Sequence, residues 1–304
     1  MGKLQNLISI HDLDRETIDH ILDTASKMED VAVNRSKDLD SKIMAVLFFE
    51  PSTRTRLSFE SAMLRLGGGV LGFAEAGVSS AGGKGETLAD TIRTVERYAD
   101  IIVIRHPLDG SARVAAEFSS IPVINAGSGS EEHPTQALLD LYSIKKMKGK
   151  IDGLSISLCG DLKYGRTVHS LGMGLSHYDV KIKLAAPQLL RMKPAIIEQM
   201  KKSGADVVEV ETVEEAVKDV DVIYTTRIQK ERFPDVREYD KVKDRFRITV
   251  NDVALMREDA IILHPLPRVD ELDPEIDKTP HAKYFDQVYN GVVLRMAVLK
   301  LILG

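Results

Sequence analysis

The segment Phe49-Glu50-Pro51-Ser52-Thr53-Arg54-Thr55-Arg56 places three hydroxyls and two arginines in the five positions 52–56. It follows an apolar run and opens a helical pattern. The first turn of a helix carries backbone N–H groups without intrahelical acceptors, and the helix dipole favours an anion there. Ser52, Thr53 and Thr55 add hydroxyl donors, and Arg54 adds a planar charged fork matched to phosphate. The chemistry expected is anion binding. An ordinary helix cap with solvated arginines would use the same residue types.

Other segments of this kind follow. Gly77-Val78-Ser79-Ser80-Ala81-Gly82-Gly83-Lys84-Gly85-Glu86 is glycine-dense, and Ser80 and Lys84 are the reactive groups it would project. It is no Walker A loop, because Lys84 is not followed by Ser or Thr and the glycine spacing differs. A flexible turn would also account for it. Arg105-His106-Pro107 closes an apolar run, and His133-Pro134-Thr135-Gln136 precedes and opens a helix, with proline at a favoured first-turn position. Ligands of open α/β sheets sit beyond the carboxyl ends of the strands, so Arg105, His133 and Gln136 could converge with Ser52–Thr55.

In the second half, Gly160-Asp161-Leu162-Lys163-Tyr164-Gly165-Arg166-Thr167 again joins a strand to a helix. It lacks G-x-G-x-x-G, and the next strand ends Ala185-Ala186-Pro187 without an acid for a ribose, so a nicotinamide dehydrogenase is excluded. Thr225-Thr226-Arg227-Ile228-Gln229 ends a further strand. His264-Pro265-Leu266-Pro267-Arg268 ends the last one, in a loop stiffened by two prolines.

The elements that must position these groups alternate as in α/β proteins. Strands are expected at 42–49, 69–74, 100–105, 121–125, 154–159, 180–185, 206–210, 220–225 and 260–263. Helices are expected at 53–66, 86–98, 134–147 and 167–175, with a short one between 105 and 121. The polar, glycine-bearing stretch Lys148–Gly153 divides the chain into two parallel-sheet halves. The stretch from Ala282 to Leu303 is apolar on nearly every side and must be buried. On pattern alone it is either a core helix of the second domain or a helix crossing to the first.

The chain has 304 residues, 43% hydrophobic and 29% charged, which is globular composition for about two domains. A net charge of −5 argues against wrapping a nucleic-acid backbone but not against a small anion in one basic pocket. The single cysteine, Cys159, excludes an internal disulfide framework and a cysteine-based zinc site. No signal peptide or membrane-length apolar run is present, and Asn6 stands where a myristoylation signal wants Ser or Thr. A cytoplasmic protein with no membrane association is expected.

Six motifs, S-T-R-T-R, S-S-A-G-G-K-G-E, H-P-T-Q, G-D-L-x-x-G-R-T-x-H-S, T-R-x-Q and H-P-L-P-R, occur in order from Ser52 to Arg268. In this the chain resembles the aspartate/ornithine carbamoyltransferase family. The resemblance implies two α/β domains, each with a parallel sheet flanked by helices. One binds carbamoyl phosphate and comprises residues 1–148 with the C-terminal helix, 286–304, packed back on it. The other, 149–285, binds aspartate. The implied reaction is attack of the aspartate α-amino group on carbamoyl phosphate, an early step of pyrimidine synthesis.

The resemblance also implies roles. Ser52, Thr53, Arg54 and Thr55 hold the phosphate, while Thr55, Arg105 and His133 polarise the carbonyl oxygen. Gln136 and the carbonyls of Pro265 and Leu266 hold the NH2 group. Arg166, Arg227 and Gln229 take the aspartate, with Leu266 and Pro267 beside it. Ser80 and Lys84 reach a neighbouring subunit's site in a homotrimer. No metal or cofactor is implied, and a separate regulatory chain is a possible partner. Ornithine is the rival acceptor. Its enzymes carry H-C-L-P where this chain has His264-Pro265-Leu266-Pro267, and an S-M-G motif absent here. Two arginines also suit a second anionic group better than an ammonium.

Overall fold

The computed structural model describes residues 4–74, 85–229, 233, 235, 237, 239, 242 and 246–304. It resolves into two compact units: Met1–Tyr142 with Tyr289–Gly304, and Ser143–Val288.

The first unit is built on four parallel strands, β1 (Ile43–Phe48), β2 (Gly69–Phe73), β3 (Ile101–His106) and β4 (Val123–Ser128), in the order β2-β1-β3-β4. β1 and β3 are near-continuous apolar runs, as strands covered on both faces must be. Val46 pairs with Val103, and Phe48 with Arg105. One layer of the core joins Ala45 and Leu47 of β1 and Ile102 and Ile104 of β3 to Ile92, Ala112 and Ala115 on helices. The helices are α1 (Arg15–Asn34), α2 (Thr53–Arg65), α3 (Leu88–Val95), α4 (Ser111–Phe118) and α5 (Pro134–Lys148). From Ser143 onward α5 lies in the second unit.

The second unit carries β5 (Ser155–Cys159), β6 (Lys181–Ala185), β7 (Asp206–Val210), β8 (Val222–Thr225) and β9 (Ile261–Leu263), all parallel, in the order β7-β6-β5-β8-β9. Helices α6 (Arg166–Leu175), α7 (Pro194–Lys202), α8 (Val213–Val217) and α9 (Val250–Val253) connect them. A final helix, α10 (Tyr284–Leu303), follows.

The strands fall where the apolar runs place them, with shifted ends. α3 starts at Leu88 rather than Glu86, because Thr87 caps it by accepting from the Asp90 N–H at 3.1 Å. β4 starts at Val123 rather than Ile121, since Ser119 closes a turn by accepting from the Ile121 N–H at 3.2 Å. Among the described residues, α1, α7, α8 and α9 are helices that went unnamed in the sequence. In α1 the buried Ile18, Ile21, Leu22, Ala25, Met28 and Ala32 form one face, and Asp14 caps the helix through the Thr17 N–H. α7 opens on Pro194, and α8 has a capping box of Thr212 and Glu215.

The open question about the last helix is resolved. From Tyr289 onward α10 belongs to the first unit. Lys300 pairs there with Asp38 on the surface, and Arg295 reaches Ser58 of α2 and Thr135 of α5.

Candidate active site

In the first unit the carboxyl ends of β1, β3 and β4 share one edge of the sheet, as the pairings Phe48–Arg105 and His106–Ser128 require. The chain leaves β1 through Phe49, whose N–H donates to the Arg105 carbonyl at 2.8 Å, and enters α2 at Ser52. Ser52 is extended and its side chain makes no capping bond, unlike Asp14 of α1 or Thr87 of α3. The first turn of α2 carries no acid. Thr53 and Arg54 are exposed, while Thr55 is buried. The start of α2 therefore offers main-chain N–H groups, hydroxyls and a guanidinium to an incoming anion.

Arg105 is held at this edge from both sides. One terminal nitrogen donates to the Ala126 carbonyl at 3.3 Å, and the other lies 3.5 Å from the Glu50 carboxylate. Glu50 stands inside the segment 49–56 and had no role in the sequence reading; an acid amid Ser, Thr and Arg was its signal. The Phe49 ring packs on Phe73 and His106, with centroids 5.2 and 4.8 Å away. Burial pushes the His106 imidazole below its ordinary value, against the pull of Glu50.

His133 and Gln136 lie at the start of α5 and are both buried, 4% and 8% exposed. The Gln136 Nε2 donates to the Asp140 Oδ1 at 2.9 Å, one turn further along α5. The unit thus brings Ser52, Thr53, Arg54, Thr55, Arg105, His133 and Gln136 to one sheet edge and the two helix starts beside it.

In the second unit the ends of β5, β8 and β9 form a like edge, fixed by the pairings Cys159–Thr225 and Tyr224–Leu263. Gly160, with φ +105°, lets the chain turn against β8; a Cβ there would lie 2.2 Å from the Thr226 carbonyl oxygen. The Asp161 N–H donates to Thr226 Oγ1 at 3.2 Å, the Tyr164 N–H to Asp161 at 2.9 Å, and His169 Nε2 to the Leu162 carbonyl at 2.8 Å. These bonds shape the loop that delivers Arg166 to the start of α6, where it is 9% exposed. Arg227 and Gln229 follow β8, half-buried.

Pro265, Leu266 and Pro267 follow β9, with a cis peptide between Leu266 and Pro267. The Leu266 N–H donates to His264 Nδ1 at 2.7 Å, so that nitrogen is bare and Nε2 carries the proton, donated to Glu271 at 2.7 Å. Arg268 closes the loop with both terminal nitrogens on Asp277 and a 2.9 Å bond to the Tyr284 hydroxyl. Ser80 and Lys84 lie outside the described residues.

Cys159 is buried at the end of β5, its Sγ 3.3 Å from Ser157 Oγ, and burial pushes its thiol up to about 11. It is a small core residue and no nucleophile. Among the described residues no histidines, cysteines and carboxylates group so as to hold a metal ion, and no helix is long and apolar enough to cross a membrane.

Two family models match the chain, one after the other. That of the aspartate/ornithine carbamoyltransferase carbamoyl-P binding domain matches residues 5–146, and that of the Asp/Orn binding domain matches 152–302. The chain belongs to the aspartate/ornithine carbamoyltransferase family. Within it, the chain is 56% identical over 305 residues to the aspartate carbamoyltransferase catalytic subunit of Thermococcus kodakarensis, covering 99% of this chain and 98% of that one. The catalytic subunit of M. jannaschii aspartate transcarbamoylase superposes with a TM-score of 0.91 at 51% identity, over 98% of both chains. Aspartate transcarbamoylase from Trypanosoma cruzi, solved in complex with carbamoyl phosphate and aspartate, superposes with a TM-score of 0.92 at 38% identity, over 99% of this chain and 96% of that one.

Proposed function

We propose that this chain transfers the carbamoyl group of carbamoyl phosphate to the α-amino group of L-aspartate, giving N-carbamoyl-L-aspartate and phosphate for pyrimidine biosynthesis. The observation that carries this reading is the start of α2. There the Ser52 side chain leaves the helix uncapped, at the sheet edge that also presents Arg105 and His133. A phosphate fits that cluster, and the reaction's carbonyl needs donors of the kind beside it.

In this reading Ser52, Thr53, Arg54 and Thr55 hold the phosphate. Thr55, Arg105 and His133 donate to the carbonyl oxygen, where negative charge grows as the amine attacks. Gln136 and the Pro265 and Leu266 carbonyls accept from the carbamoyl NH2. Arg166 and Arg227 neutralise the aspartate carboxylates, supported by Gln229, with Leu266 and Pro267 alongside. The neutral amine forms a C–N bond, the tetrahedral intermediate expels phosphate by C–O cleavage, and the departing phosphate takes the surplus amine proton. Nothing in this scheme requires a covalent enzyme intermediate. Orientation of two anions against fixed cations supplies the rate.

The active assembly in this reading is a cytoplasmic homotrimer in which Ser80 and Lys84 complete a neighbour's site. The S-S-A-G-G-K-G-E motif and the match to relatives named catalytic subunits support it. The same name, catalytic subunit, leaves room for a separate regulatory chain as a partner.

The test is an assay with radiolabelled carbamoyl phosphate, offering aspartate and ornithine separately. Label should enter carbamoyl-aspartate. Label in citrulline alone would overturn the acceptor, and label in neither would overturn the activity.

A further inference from the structure

Gln136 can present either end of its amide, and only one end serves a substrate NH2. Which end faces outward is decided behind it. Asp140, fully buried on the next turn of α5, accepts from Gln136 Nε2 at 2.9 Å. An ionised carboxylate is acceptor-only, so the glutamine must turn its NH2 toward Asp140 and keep its carbonyl oxygen on the other branch.

A buried carboxylate stays ionised only if paired. A cation near enough to act on it is Arg295 on α10, 3% exposed, which donates to Ser58 Oγ at 2.9 Å, to the Gly291 carbonyl at 3.3 Å and to Thr135 Oγ1 at 3.4 Å. Its guanidinium also lies over the Phe59 ring, 5.0 Å from the centroid. Burial works against its charge, pulling it down to about 10, and the Asp140 carboxylate pulls the other way. Arg295 thereby joins α10 to α2 and to the first turn of α5, the two helices whose starts form the anion-binding edge.

We propose that Asp140, supported by Arg295, is a positioning residue that fixes the Gln136 amide with its carbonyl oxygen toward the carbamoyl NH2. The proposal rests on the reading of Gln136 as a carbamoyl-phosphate ligand. It predicts that the acceptor and donor in the pair can be exchanged. In Asp140→Asn the new amide can donate, allowing Gln136 to turn its NH2 outward against the substrate NH2. In Gln136→Glu alone two carboxylates face each other. In the double variant the introduced amide donates to one oxygen of the introduced carboxylate, leaving the other oxygen to accept from substrate.

The experiment measures kcat, the KM for carbamoyl phosphate and the thermal midpoint for Gln136→Ala, Asp140→Asn, Gln136→Glu and the double variant, with Asp140→Asn repeated in the Gln136→Ala background. Losing one such hydrogen bond should raise that KM about tenfold in Gln136→Ala and in Asp140→Asn. Asp140→Asn should add nothing once Gln136 is replaced by alanine, and the double variant should outperform Gln136→Glu. A carbamoyl-phosphate KM unmoved by Gln136→Ala would overturn the role of Gln136 itself. If Gln136→Ala shifts it as expected, a double variant no better than Gln136→Glu would overturn the positioning role alone. So would an equal effect of Asp140→Asn in both backgrounds, which marks a structural part only.

Discussion

His264 Nε2 lies 2.7 Å from the Glu271 carboxylate, with both side chains buried. The other ring nitrogen accepts from the Leu266 main chain, so one imidazole connects the end of β9, the Leu266 backbone and Glu271. Glu271 also accepts from the Val269 and Asp270 N–H groups. The loop that offers the Pro265 and Leu266 carbonyls is thus stiffened by side-chain bonds as well as by prolines.

His264→Ala should loosen that loop and strand a buried carboxylate. The expected cost is about 3 kcal/mol, the scale for breaking a buried charge-assisted pair. Urea denaturation would measure it. The KM for carbamoyl phosphate should rise with it, because the Leu266 backbone loses its acceptor. A variant with wild-type stability and KM would contradict this account.

Glu271 sets an acid limit. Burial pushes its carboxyl up, but the bonds from His264 and the loop N–H groups outweigh this and hold it below the ordinary 4.5. Because the folded value is depressed, the stabilisation is present above about pH 4.5 and is lost as pH falls through the folded value. Glu271→Gln should therefore be less stable at neutral pH, with the gap to wild type narrowing in more acidic solution. Denaturation midpoints measured from about pH 7 to about pH 3.5 check this; a gap constant with pH would refute it.

The candidate edge was legible as motifs because anion chemistry calls for particular residues at strand-to-helix junctions, and Ser52–Thr55, Arg105 and His133–Gln136 stand at strand ends or helix starts. The parallel strands were legible as continuous apolar runs. The bracing was not, because it pairs residues far apart in sequence: Arg295 with Ser58 and Thr135, and Glu50 with Arg105. One trace of it was present. An arginine within the apolar stretch 282–303 must be buried with a partner, and only the folded chain identifies that partner as lying on α2 and α5.

Gly160→Ala tests the close approach of β5 and β8 at the second unit's edge. The substitution adds a left-handed penalty of about 1–2 kcal/mol and a clash with the Thr226 carbonyl of similar size, about 3 kcal/mol together. A large fall in the thermal midpoint is expected, with the aspartate KM raised, since the turn leads to Arg166. An unchanged midpoint would mean that the strands separate without cost.

Arg54→Ala should leave the fold intact, because the side chain is exposed and surface changes typically stay within about 0.5 kcal/mol. Turnover should fall by at least about a hundredfold, the loss expected on removing a donor that stabilises transition-state charge. Circular dichroism and steady-state kinetics on one preparation separate the two. Near-normal turnover would remove Arg54 from the anion site.

Subunit hybrids test whether sites are shared. If Lys84 serves a neighbour's Arg54, homotrimers of Lys84→Ala and of Arg54→Ala are each inactive, since every site lacks one cation. Mixed trimers differ. Of the two interfaces between unlike chains, one carries a site with both defects and the other a site with neither. A trimer of two kinds of chain has one interface of each unlike orientation, so one site in three is intact. Dissociating and reassociating an equal mixture should therefore restore activity to roughly a quarter of wild type, as three-quarters of random trimers are mixed and each recovers one site in three. The estimate assumes unbiased exchange and full activity of an intact site. Native mass spectrometry would confirm that hybrids formed, and activity no higher than that of the parents would show that each site is built from a single chain.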